Sequence, residues 1–225
     1  MAAGVAAVDL APLTLTLKVA GVATATALVV GVAAAYGLAK TRFWGRDLLD
    51  AVVTLPMVLP PTVLGYYLLV LLGRKGWLGA WLEHSFGFSL MFSWQGAAVA
   101  SAVVSVPLVF KSARAAFEGV DSQLEHAART LGLSEPAVFA RVSLPLAWRG
   151  ILAGTMLAFA RAMGEFGATL MVAGNLPGKT QTLSLAIYSA VEAGNEALAA
   201  NLVAITSVVC VCVLVGSGKL LRSLA

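Results

Sequence analysis

The chain has 225 residues, 60% of them hydrophobic and 12% charged, with a net charge of +4. A soluble domain carries about twice that charge, and the apolar residues here run in long blocks without an amphipathic rhythm, which excludes a soluble globular protein. The basic surplus is sorted by side of a membrane and not gathered into a patch, so it does not point to nucleic acid.

A bilayer core about 30 Å thick needs roughly 20 apolar helical residues. Five blocks reach that length, at about 13–38, 50–72, 94–113, 148–173 and 198–218. The expected fold class is all-α: a polytopic membrane protein of about five transmembrane helices in a single domain, 1–225. The first block has no basic region before it, the first charge is Asp9, and no A-x-A-like site follows, so it is expected to be retained as a span.

The second block, LLDAVVTLPMVLPPTVLGYYLLVLLG, is interrupted by Pro56, Pro60 and Pro61. Backbone groups freed by proline at membrane depth must find partners in neighbouring helices or a water-lined path. The prolines therefore mark either a transport pathway or a kink against a neighbour. The third block carries Pro107.

The segment 114–147 is too polar to span. Within it, Leu124, Ala127, Ala128 and Leu131 follow the i, i+3, i+4, i+7 spacing of a short amphipathic helix. Gly132 is placed to end that helix in the left-handed conformation. Ser134 is placed to cap a second helix with Pro136 in its first turn, and Pro145 to end the unit before the fourth span. The mixed charges on the polar face favour a protein partner over lipid.

The fourth block holds Arg161 and Glu165, four residues apart and so on one helical face. Unpaired, each would cost about 2.5–3.5 kcal/mol at the bilayer centre, so they are expected to pair and face the bundle interior or an aqueous cavity, either as a gate or as a packing clamp. Ala160, Gly164 and Ala168 form a stripe of small residues, and Gly150 and Gly154 form a GxxxG, both suited to close helix approach. The segment 174–197 is expected on the outer side. Its Gly178-Lys179-Thr180 imitates the end of a phosphate-binding loop, but position 173 is Ala and the segment follows a helix. Cys210 and Cys212, two apart in the last block, point to different helix faces and suit neither a disulfide nor a metal. His84 and His126 fall on opposite sides of the membrane, so no metal site is expected.

With the N-terminus outside, Lys40, Arg42, Arg46, Lys111, Arg114, Arg129, Arg141, Arg149, Lys219 and Arg222 lie on inner segments, against Arg74, Lys75 and Lys179 on outer ones. This bias puts the C-terminus in the cytoplasm.

The stretch DSQLEHAARTLGLSEPAVFARVSLPLAWRG, 121–145 at its core, resembles the coupling motif of ABC importer permeases. Ala127, Ala128, Gly132, Val142, Leu144 and Pro145 match, while His126 stands where the family usually has Glu and Glu125 immediately precedes it. LPMVLPPTVLGYYLL, FSWQGA, EGVD, AARTLG, LAFARAMGEFGAT and GNLPGKTQT are similar to the molybdate branch, and tungstate and sulfate permeases are close relatives. The resemblance implies a homodimer in a bacterial or archaeal cell membrane. It also implies two cytoplasmic ATPase subunits on the coupling helices and an extracytoplasmic oxyanion-binding protein. The chain is then no enzyme and holds no cofactor, ATP and Mg being bound by the partner ATPase. Coupling is expected from Glu125, His126, Ala127, Ala128, Gly132, Val142, Leu144 and Pro145; pathway or gating from Pro56, Pro60, Pro61, Arg161 and Glu165. An intramembrane enzyme would need a nucleophile–base or metal constellation, and an ion-coupled secondary transporter several intramembrane acids and inverted repeats.

Overall fold

The computed structural model describes residues 10–41 and 43–223; Asp9, Arg42 and the side chain of Arg222 lie outside that description. The described residues form α1 (Ala11–Lys40), α2 (Arg46–Val58), α3 (Pro61–Leu72), α4 (Trp77–Phe86), α5 (Trp94–Glu118), α6 (Ser122–Thr130), α7 (Glu135–Val138), a π-helical stretch (Phe139–Ser143), α8 (Leu144–Met163), α9 (Gly167–Ala173), α10 (Leu183–Glu192) and α11 (Glu196–Ser223). No strand occurs among them.

Among the described residues, four helical segments are long and apolar enough to cross a membrane: Ala11–Lys40, Trp94–Glu118, Glu135–Met163 and Glu196–Gly216. The expected span 50–72 is instead a broken pair, α2 and α3, bent by 112° at Leu59–Pro60. Pro61 opens α3 at a position where its missing amide costs nothing. The pair still traverses the bundle. Asp50 bonds Lys111 near the far end of α5, whereas Leu64 and Leu68 pack with Ala100 and Val104 near its start.

α5 is the central element, its Phe110 and Phe117 wholly buried. α1 runs parallel to it, packing Val19 with Ala98, Ala23 with Ala102 and Ala27 with Val109. Small side chains let the two backbones approach. α8 packs against both α1 and α5, Ala158 meeting Ala27 and Val109. A Cβ added at Gly150 would lie 2.6 Å from the Ala116 Cβ, and one at Gly154 2.6 Å from that of Ser112, so the GxxxG makes the close approach expected of it. The Ala160-Gly164-Ala168 stripe does not survive as a stripe. α8 ends at Met163 and Gly164 caps it, because the chain turns there into α9. α4 and α10 were not anticipated; both are short helices at the end of the bundle where α1 and α5 begin.

Candidate functional site

Two regions collect the residues singled out above. In the coupling segment, the Asp121 carboxylate accepts from the Gln123 amide and caps α6. Gly132 has φ +85, and its neighbours close a two-bond turn, Leu133 N–H to the Ala128 carbonyl and Gly132 N–H to that of Arg129. This is the Schellman arrangement, which favours glycine. Arg129 then pairs with Glu135 at 2.6 Å across the turn. Ser134 occupies the cap position without a side-chain bond.

Pro145 does not end the unit. A proline within a helix removes one bond and crowds the carbonyl four residues back. Here the preceding turn widens, Leu144 N–H reaching the Phe139 carbonyl five residues back, and the helix continues from Glu135 to Met163. Val142 and Leu144 are half-buried on this stretch and Pro145 is exposed.

The faces of α6 also differ from the expectation. Glu125 and Ala128 are buried, while Leu124, His126, Ala127 and Leu131 face outward. The Glu125 carboxylate bonds Lys40 Nζ at 2.8 Å and accepts from Ser143 Oγ at 2.6 Å. Lys40 Nζ also donates to the Phe117 carbonyl at 3.2 Å. One buried carboxylate thus fastens α6 to the ends of α1 and α5 and to the π-helical stretch. Burial opposes its ionisation, but the hydrogen bonds from Lys40 and Ser143 outweigh that and hold the carboxyl below its ordinary range. The acidic position of the segment is therefore filled structurally by Glu125, with His126 outside.

The second region lies where two helix breaks face each other. Arg161 Nη1 and Glu165 Oε2 are 2.8 Å apart, as pairing requires, but across the end of α8 instead of along one helix. Glu165 is 2% exposed, and its other oxygen accepts from the Ala168 amide at 2.9 Å in the first turn of α9. Arg161, one-third exposed, lines a cavity of about 210 Å³ with Pro56, Met57, Leu59 and Pro61. Pro60 sits between the two broken halves. A Cβ added at Gly167 would lie 2.9 Å from the Pro61 Cβ, so α9 rests directly on the start of α3.

Other groups escaped sequence reasoning. Lys18, inside the first apolar block, is a charge in a span besides Arg161 and Glu165; its Nζ lies 3.7 Å from the centroid of the Trp94 ring. Arg46 pairs with Glu118 at 2.6 Å, and Arg114 with both Asp50 and Glu118, lacing α2 to α5. Arg114 and Glu118 have the i,i+4 spacing of a helical pair, but no sequence spacing marks the long-range Arg46–Glu118 and Arg114–Asp50 pairs. Gly178-Lys179-Thr180 forms a tight turn around the Leu176 carbonyl, not a phosphate loop before a helix. Among the described residues, no group of three or more His, Cys, Asp or Glu could hold a metal.

The family model for the binding-protein-dependent transport system inner membrane component matches residues 27–222. The chain is 48% identical over 189 residues to the molybdenum transport system permease protein of Escherichia coli K12, covering 84% of this chain and 82% of that one. It is 39% identical over 176 residues to a sulfate transport system permease protein of Synechococcus elongatus, covering 78% and 61%. The fold matches a chain of the inward-facing MetNI methionine ABC transporter with a TM-score of 0.76 over the whole of both chains at 16% identity.

Proposed function

Because the chain belongs to the family of binding-protein-dependent transport system inner membrane components, we propose that two copies of it form the transmembrane pathway of an ATP-driven molybdate importer. The chain is an ABC importer permease of the inner membrane, a transport subunit and not an enzyme; proteins of this family work with a separate ATPase and an extracytoplasmic binding protein. The substrate assignment rests on the higher identity to the molybdenum permease than to the sulfate permease; tungstate and sulfate are the competing anions. In this reading the N-terminus is outside and the C-terminus cytoplasmic. The outward face of α6, with Leu124, Ala127 and Leu131, seats in an ATPase subunit that binds ATP and Mg.

The observation that carries the mechanism is the continuous helix Glu135–Met163, anchored to α6 at one end and bearing Arg161 at the other. From Ser143 to Arg161 is 18 residues, about 27 Å of helix. Closure of the ATPases displaces the α6 pair. The Gly132 turn and the Glu125 anchor pass that displacement to the helix, which moves Arg161 against the breaks at Pro60 and Glu165. Alternating access then proceeds as a rigid-body switch.

The test is reconstitution with the ATPase and the binding protein and measurement of labelled molybdate uptake. ATP-dependent uptake, competed by tungstate but not by a hundredfold excess of sulfate, is the expected outcome. Uptake without ATPase would overturn the class, and equal competition by sulfate would overturn the substrate.

A further inference from the structure

Two cavities follow one another down α1, the first between α1 and the 178–181 turn and the second in the seam between α1 and α5. The outer one, about 230 Å³, is lined by Thr14, Lys18, Gly178 and Gln181. The inner one, about 330 Å³, runs between Val22 and Val30 of α1 and is walled by Val99 and Val103 of α5, with Trp94 at its outer end. Lys18 lines the first and stands over the Trp94 ring of the second at 3.7 Å, so the two meet at a cation lying on an aromatic face.

Lys18 sits seven residues into α1, where a lysine extends its ammonium toward the interface and leaves its stem in the apolar layer. Tryptophan favours the same depth. The ring occupies one side of the ammonium, which has three donors. Among the described residues, no carboxylate pairs with it. An unpaired cation over an apolar cleft at the membrane surface is complementary to a molecule with an anionic head and a hydrocarbon tail.

The dimensions select the tail. Val22 to Val30 spans about 12 Å, most of the roughly 15 Å of one hydrocarbon leaflet. An alkyl chain lying along α1 fills a cleft of that length.

We propose that the α1–α5 seam binds one anionic phospholipid. An acyl chain lies between Val22 and Val30, the phosphate rests on Lys18, and the remaining headgroup sits between Thr14 and Gln181. Only the choice of the outer leaflet rests on the orientation assigned above.

The test is native mass spectrometry of the purified permease after exchange into detergent with phosphatidylglycerol or phosphatidylcholine. Wild type retains one lipid per chain, favouring phosphatidylglycerol about tenfold. Lys18→Gln retains a lipid but lowers that preference to twofold or less. Val99→Phe, and separately Val22→Phe, fills the cleft from opposite walls and abolishes retention of both lipids, in protein whose gel-filtration profile matches wild type. An unchanged preference in Lys18→Gln, or unchanged retention in both Phe variants, overturns the proposal. So does disulfide formation between copies through Val22→Cys in a chain with Cys210 and Cys212 replaced by Ser, which would place a second copy in the seam.

Discussion

Glu125→Gln tests whether the buried carboxylate, and not the neighbouring exposed histidine, holds α6 to the helical bundle. The substitution keeps shape and burial but removes the charge that receives Lys40 at 2.8 Å and Ser143 at 2.6 Å. Hydrogen bonds to charged groups contribute about 1.5–3 kcal/mol. Lys40 is one-fifth exposed and keeps its bond to the Phe117 carbonyl, so part of its loss is made up by water. The lower part of the range applies, about 1.5–2 kcal/mol, which shifts the ratio of docked to undocked α6 by roughly 10- to 30-fold. Hydrogen–deuterium exchange of the permease alone, without ATPase, reads this directly over residues 121–138. Those amides should exchange about tenfold or more faster in Glu125→Gln, while the crossing helices stay protected. His126→Gln should exchange at the wild-type rate, since that side chain lies on the outward face. Equal protection in Glu125→Gln and wild type would refute the anchor.

Acid should act at the same anchor. The folded pKa of Glu125 lies below its unfolded value, so its contribution is complete above the ordinary glutamate pKa of about 4.3 and falls away as pH drops through the folded value; protection over 121–138, corrected for the intrinsic pH dependence of amide exchange, should fall only on that acidic side, and a fall in corrected protection between pH 6 and 8 would contradict it. Gly132→Val places a β-branched residue at φ +85, a local cost of about 1–3 kcal/mol with no steric neighbour to add to it. Membrane levels should stay normal while ATPase co-purification and uptake fall, and normal values of both would remove the turn from the coupling route. For the Arg161–Glu165 pair, Glu165→Gln should lower expression or transport more than the double change with Arg161→Gln, because the single change strands a charge; equal damage would point to separate roles. Reporter fusions near residues 45 and 130 should read cytoplasmic and those near 83 and 185 external, and an external signal at 130 would refute the five-crossing topology.

The crossings were legible because each carries enough apolar length to register without knowledge of its neighbours, and α1, α5 and α11 lie within a few residues of their hydropathy blocks. Gly132 was legible for a different reason: a glycine closing an amphipathic run has few other uses. The fates of the prolines were not. Pro60 breaks its helix by 112° and Pro145 does not break one at all. Leu59 and Pro60 each precede a proline and are both extended, whereas before Pro145 the helix is kept by a widened turn. The inward face of α6 was hidden because its partner is remote in sequence. A carboxylate reads as solvent-facing until a lysine 85 residues earlier in the chain is brought to it. The Arg161–Glu165 contact was anticipated from spacing, yet the helix that justified the spacing ends between the two residues.

The parallel packing of α1 on α5 sets a schedule for making the protein. Two neighbouring crossings that point the same way cannot insert as a hairpin, and Ala27 meets Val109, 82 residues later in the chain. At roughly 5–20 residues per second of synthesis, the first crossing waits about 4–16 s in lipid before its partner is made. Its alanine-lined side is unpaired throughout that interval and is inserted on hydrophobicity alone. A substitution there that quickens self-association of the nascent crossing, such as a polar residue at Ala23, would compete with α5 during biosynthesis and would reduce yield before any effect on the finished transporter could be measured.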